Sequence, residues 1–342
     1  MSENRFDLKR YTDQLYDRAK RKLACPTQSP DTWAEWQKQI KTKAAELLGI
    51  AERKAPLSVP AETVDEKDRG LFVQRKLALD VGEGVEAPIY LLVPKEAKLP
   101  YRPVMVFHGH NDSIQPVLGN YESEQFAEEN RARDGNYAQA LVEAGFLVCG
   151  VEQRGFGQRQ SDKEGTAWSC RHQSLAYIMQ GLTSIGLRCW DGMCAISWLL
   201  GQDELPLKPG SLGCTGNSGG GTTTLWLTLL DERISAAVVG SYFCSFEKSI
   251  RDQWHCECNY IPNVLQWGEL GDFAAAIAPR PLRLINGEKD PIFPIGAARE
   301  QFQTVFKAYQ LLSAPERVDL SVHPDEHRYK HGPSREWFDR WL

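Results

Sequence analysis

The stretch C-T-G-N-S-G-G-G-T-T, from Cys214 to Thr223, sets a serine among four glycines between an apolar run and a helical one. Such a loop either cradles a phosphate or presents a nucleophile. A Walker-type phosphate loop needs a lysine after its last glycine, because backbone N–H groups alone do not neutralise a triphosphate, and threonines stand there instead. The dinucleotide fingerprint G-x-G-x-x-G fails on the spacing of Gly216, Gly219 and Gly221. What fits is G-x-S-x-G, with Gly216, Ser218 and Gly220 after a short apolar strand, Ser211 to Thr215, and before a helix reading T-T-L-W-L-T-L-L. A sharp strand-to-helix turn strains the serine backbone and brings strand and helix close together. The flanking residues must then lack bulk, which the two glycines supply.

A serine hydroxyl is a weak nucleophile until a positioned base accepts its proton. In the chain order Ser, acid, His, the acid should follow a later strand. Asp290, in E-K-D-P-I-F-P after the strand L-R-L-I-N-G, stands there; Glu288 competes, but the Asp-Pro turn favours Asp290. After the last strand, V-D-L-S-V-H, comes P-D-E-H-R-Y-K-H-G, which makes His327 the expected base. His323, at the strand end, and His331, at a helix start, are expected to cap or face solvent. The acid would fix the imidazole tautomer and stabilise the imidazolium.

Acyl transfer also needs donors for the tetrahedral oxyanion, each worth about 3 kcal/mol. The expected donors are the backbone N–H groups of Gly219 and of His110, in the loop F-H-G-H-N-D-S after an earlier strand. His108 and His110 otherwise read as loop histidines. The segment H-C-E-C-N-Y, His255 to Tyr260, has C-x-C spacing that suits a soft cation, but a second knuckle is missing. No metal and no cofactor is expected, since a triad with an oxyanion hole needs neither. Trp168, Tyr242, Phe243, Trp254 and Tyr260 lie on the two excursions expected to wall the pocket and are read as substrate-binding, with a core role as the alternative.

Eight β-like runs position these residues, starting near Leu71, Ile89, Val104, Leu147, Ser211, Ala236, Leu282 and Val318. From Val104 onward they alternate with helical segments, which implies a mainly parallel eight-stranded sheet with helices on both faces. With G-x-S-x-G after the fifth strand, this is the order of an α/β-hydrolase fold. Residues 1–60 read as an N-terminal helical arm and linker, and residues 61–342 as the catalytic domain. Functional groups gather at the carboxyl ends of strands in such sheets.

The 342 residues carry a net charge of −5, which gives no basic footprint for nucleic acid or anionic membrane. The first residues lack an apolar h-region, so a cytoplasmic location is expected. Nine cysteines, odd in number and scattered, do not read as a disulfide framework.

F-H-G-H-N, E-Q-R-G-F-G, G-C-T-G-N-S-G-G-G, H-C-E-C-N-Y-I-P, I-A-P-R-P-L and G-E-K-D-P-I-F-P followed by E-H-R resemble the acetyl xylan esterase-like and dienelactone hydrolase-like branch of the α/β-hydrolase superfamily. The resemblance covers roughly Leu71 to Leu342. It implies a serine carboxylesterase acting through an acyl-enzyme on a small-molecule or oligosaccharide ester, with carbohydrate deacetylation as the activity it suggests, and it carries Ser218, Asp290 and His327 over to the triad. The sequence departs from dienelactone hydrolases in having Ser rather than Cys as nucleophile, and from secreted xylan esterases in lacking a leader. Two other readings stay open: a prolyl oligopeptidase-type serine peptidase, and a non-catalytic hydrolase-fold scaffold that forms homo-oligomers through its helical arm.

Overall fold

The structure, a computed structural model, describes residues 6–27, 29–82, 84–161 and 165–342, with the backbone alone for residues 165–168. Two helices lead, α1 (Leu8–Arg18) and α2 (Trp33–Leu47). Three strands follow, β1 (Ala61–Asp68), β2 (Phe72–Asp80) and β3 (Glu86–Pro94), and then β4 (Pro103–Phe107). Next come α3 (Glu124–Ala132), α4 (Tyr137–Glu143), β5 (Leu147–Val151), α5 (Gly165–Met179) and α6 (Ser184–Leu200). β6 (Gly213–Asn217), α7 (Gly219–Leu230), β7 (Ala236–Gly240), α8 (Leu270–Ala275) and β8 (Leu282–Gly287) carry the chain to α9 (Ile295–Leu311), β9 (Val318–His323) and α10 (His331–Trp341).

The sheet runs β1-β2-β3-β5-β4-β6-β7-β8-β9. The first three strands and the β3–β5 pair are antiparallel, and every pair from β5 through β9 is parallel. Nine strands stand where eight are expected. The extra one, β1, reads A-E-T-V-D-E-K-D and is almost wholly exposed. An edge strand with charges on both faces has no apolar alternation to betray it.

Alternate residues of the central strands feed two cores, as the period of two requires. Met105 and Phe107 face the larger core, which includes residues of α2, α6, α7, α8 and α9; Val104 and Val106 face the smaller, which includes residues of α4 and α10. The second helix of the N-terminal segment belongs to the larger core: Trp33, Trp36, Ile40 and Ala44 are buried, and Gln37 donates to the carbonyls of Ala276 and Ala278 at 2.8 and 2.7 Å.

The register brings the chemistry to one edge. Phe107 pairs with Gly216, Asn217 with Gly240, and Gly287 with His323, so the loops after β4, β6, β8 and β9 leave the sheet side by side.

Candidate active site

Ser218 joins β6 to α7 with φ 57° and ψ −120°, a conformation costly for any residue with a Cβ. The surroundings enforce it. The Ser218 N–H donates to Gly240 O at 2.9 Å, and its carbonyl accepts the N–H of Thr222 at 2.8 Å. A Cβ on Gly216 would lie 2.5 Å from Phe107 O, and one on Gly220 only 2.0 Å from it. The glycines of G-x-S-x-G are thus required by the close approach of α7 to β4.

Asp290 lies in the turn after β8. Its Oδ1 accepts the N–H groups of Ile292 and Phe293 at 3.0 and 3.1 Å, and its Oδ2 lies 2.7 Å from His327 Nδ1. The carboxylate is fully buried and the imidazole about a quarter exposed. An ionised carboxylate only accepts, so the proton of neutral His327 sits on Nδ1 and Nε2 keeps a free lone pair. The Phe293 ring stacks on His327, with centroids 5.6 Å apart at 16°.

Ser218 and His327 border one cleft of about 1130 Å³. Neither alternative histidine borders it. His323 is buried at the end of β9, with burial and Lys330 depressing its pKa, and His331 lies 3.1 Å from Asp134 on the first turn of α10.

The loop after β4 lies against the turn that carries Ser218. A Cβ on Gly109 would be 3.1 Å from that of Ser218, and one on Gly219 would be 3.1 Å from His110 Nδ1. Among the described residues, no protein acceptor takes the N–H of Gly219, first in α7, or of His110. The loop is braced from beneath by E-Q-R-G-F-G. His108 is wholly buried with Nε2 3.0 Å from Glu152 Oε1, and the Gln153 side chain donates to His108 O while accepting from the hydroxyl of Thr223. His108 is therefore a structural residue of the interior, not a loop histidine.

The model of the Abhydrolase family matches residues 12–340. The chain belongs to the Abhydrolase family. "Putative hydrolase YtaP" of Bacillus subtilis (strain 168) is 24% identical over 267 residues, 76% of this chain and 82% of the relative. A Bacteroides fragilis NCTC 9343 crystal structure, described as a "putative acetyl xylan esterase", superposes with a TM-score of 0.77 at 17% identity, covering 93% of this chain and 82% of the other. A glucuronoyl esterase from Solibacter usitatus gives 0.65 at 12% identity over 93% and 96% of the two chains. The fold is that of an α/β-hydrolase, and the family is one of hydrolases. Among the described residues, no helix is long and apolar enough to cross a membrane.

In this Abhydrolase family member the expected aromatic walls are only partly present. Trp254 borders the cleft and is exposed. Tyr242 and Phe243 do not border it: both are wholly buried in the larger core, Tyr242 accepting a hydrogen bond from Trp226 Nε1 at 3.1 Å. They follow directly on the buried strand β7, so their apolar character serves packing. Tyr260 is partly exposed but does not border this cleft, and the side chain of Trp168 lies outside the described residues. Among the cleft residues that sequence reasoning missed are Phe293, in the D-P-I-F-P turn itself, and His255, whose pKa burial lowers to about 4 and whose Nε2 lies 3.0 Å from Ser249 Oγ.

The H-C-E-C segment folds back on the loop after β4. His110 Nε2 lies 3.2 Å from Cys258 Sγ and 4.0 Å from Cys170 Sγ, and Cys170 Sγ lies 3.5 Å from Cys256 Sγ. The partners missing from the sequence reading are thus a histidine 148 residues away and a cysteine 86 residues away. Hydrogen bonds from Cys256 and Cys258 hold the Cys170 thiol far below its usual pKa, with help from the Arg188 charge.

Proposed function

We propose that the chain is a serine carboxylic-ester hydrolase in which Ser218, His327 and Asp290 act as nucleophile, base and orienting acid. The observation that carries this reading is the Asp290–His327 hydrogen bond of 2.7 Å beside a cleft that His327 shares with a strained Ser218. His327 Nε2 takes the hydroxyl proton as Ser218 Oγ bonds to the ester carbonyl carbon. The oxyanion receives the N–H groups of Gly219 and His110. On collapse the C–O bond breaks, the imidazolium gives its proton to the departing alcohol, and an acyl-serine remains. Water, deprotonated by His327, then releases the acid and restores Ser218.

The substrate class we assign is an acetylated carbohydrate. Two considerations support it. The cleft is large and rich in hydrogen-bonding side chains, among them Asn111, Asp112, Asn120 and Arg133, which suits a sugar alcohol better than an apolar one. Structural neighbours named for carbohydrate esters, acetyl xylan and glucuronoyl, share the fold.

Fluorophosphonate labelling of Ser218, mapped by peptide mass spectrometry, tests the mechanism. Hydrolysis of p-nitrophenyl acetate against aminoacyl-nitroanilides separates esterase from peptidase, and acetate release from acetylated xylo-oligosaccharides tests the substrate. Labelling that is absent or falls elsewhere would remove the serine mechanism; nitroanilide cleavage without ester turnover would replace it with peptidase chemistry.

A further inference from the structure

The side chains of His110, Cys170, Cys256 and Cys258 take no part in the ester chemistry above, to which His110 lends only its backbone N–H. Its four donor atoms all lie within 4.8 Å of one another. A tetrahedral zinc ion with bonds of about 2.3 Å to sulfur and 2.05 Å to nitrogen sets its ligand atoms about 3.8 Å apart between sulfurs and about 3.6 Å apart between sulfur and nitrogen. The observed nitrogen–sulfur distances of 3.2 and 4.0 Å bracket the second separation, and the sulfur–sulfur distance of 3.5 Å lies a little short of the first. The three thiols come from two distant elements, α5 and the short helical turn at Glu257–Asn259, and the imidazole from the loop after β4.

A second observation is electrostatic. Arg188 on α6 is only 2% exposed. Among the described residues it has no carboxylate partner, whereas its neighbours Arg154 and Arg159 share Asp191. Its guanidinium donates instead to Cys170 Sγ at 3.2 Å and to Arg154 O at 2.9 Å. A buried cation needs a buried anion. Three neutral thiols supply none, while three thiolates around one divalent ion leave a single negative charge, which matches Arg188. Asn259 Nδ2 approaches Cys258 Sγ at 3.7 Å, a further donor of the kind that orients metal-bound sulfur. Among the described residues, no other group of three or more His, Cys, Asp or Glu side chains brings its donor atoms together in this way.

We infer that His110, Cys170, Cys256 and Cys258 form a closed Cys₃His zinc site. Binding displaces a proton from each thiol that carries one and leaves the imidazole neutral, bonded through Nε2. With four protein ligands no position is left for water or substrate, so the ion is structural. It ties the loop carrying His110 to α5 and to the segment over the cleft, holding three otherwise separate pieces of chain beside Ser218. This inference stands apart from the ester-hydrolase reading, since it rests on other side chains.

The test uses the full-length chain, purified untagged under reducing conditions without added metal. Mass spectrometry of the metal content should find about one zinc per chain, and exchange for cobalt(II) should give the intense visible absorption of a tetrahedral thiolate site. Cys170→Ser and Cys258→Ser should each lose most of that zinc, while Cys25→Ser keeps it. If the cluster variants fail to fold, titrating the wild-type chain with a mercurial reagent should release zinc in step with thiol modification. Folded, reduced protein holding less than about a tenth of an equivalent of metal, and giving no cobalt spectrum, would overturn the inference. So would a Cys170–Cys256 disulfide in peptides mapped from folded, active protein.

Discussion

Replacing Asp290 by asparagine tests the proposed mechanism at one hydrogen atom. The amide has one acceptor and one donor, and the structure dictates which way it faces. Two backbone donors, the N–H groups of Ile292 and Phe293, converge on Oδ1, so the amide oxygen belongs there and the NH₂ points at His327 Nδ1. Nδ1 must then accept, the imidazole proton moves to Nε2, and the ring can no longer take a proton from Ser218. The flipped amide would restore the working tautomer but set its NH₂ against two N–H groups. At about 1–3 kcal/mol for each lost partner, the flip costs about 2–6 kcal/mol and leaves roughly one molecule in 30 to one in 3 × 10⁴ competent. Loss of the carboxylate charge that stabilises the imidazolium moves the expected fall in kcat toward about 10⁴. KM should change little, because Asp290 is buried behind His327 and does not border the cleft. Steady-state hydrolysis of p-nitrophenyl acetate, with the melting temperature as a folding control, measures both constants. Asp290→Ala, which leaves the tautomer free, should be no less active than Asp290→Asn. A folded asparagine variant within tenfold of wild-type kcat would refute the reasoning.

Ser218→Ala should lower ester turnover by about 10⁴ or more with an unchanged melting curve, since the side chain borders the cleft and fills no core; retained turnover in the purified variant would count against the nucleophile. His327→Ala should fall nearly as far, because nucleophile and base act as one unit, while His323→Ala and His331→Ala stay within about tenfold of wild type in kcat. A dead His331→Ala beside an active His327→Ala would move the base. Gly220→Ala should destabilise the chain by about 3 kcal/mol or more, since its new methyl would lie 2.0 Å from Phe107 O; an unchanged denaturation midpoint would show that the α7–β4 contact yields easily.

The positions proposed for nucleophile, acid and base are legible in the sequence because each follows a strand announced by an apolar run. Asp290 is the clearest case, its place fixed by the Asp-Pro turn after L-R-L-I-N-G. Periodicity has less to say about strands and aromatics at the margins. β1 carries charge on both faces and leaves no alternation to read, while Tyr242 and Phe243 look alike whether a chain buries them under a cleft or exposes them to it. The cysteine cluster shows a different limit. C-x-C is visible locally, but His110 and Cys170 reach it only through tertiary packing, which no spacing rule spans.

The charged edge strand bears on how the protein can be cut. A chain trimmed at Leu71, where the apolar rhythm starts, would lose Ala61–Asp68 and uncover β2. Residues of β2 from Phe72 to Leu79 are all buried or partly covered, and their outer hydrogen-bonding groups are now met by β1. Bared, they would offer another molecule a ready template for strand addition. The acidic residues of β1 make that pairing unfavourable in the intact chain, so expression of the hydrolase fold should keep β1 together with α2, whose Trp33, Trp36, Ile40 and Ala44 are buried in the larger core.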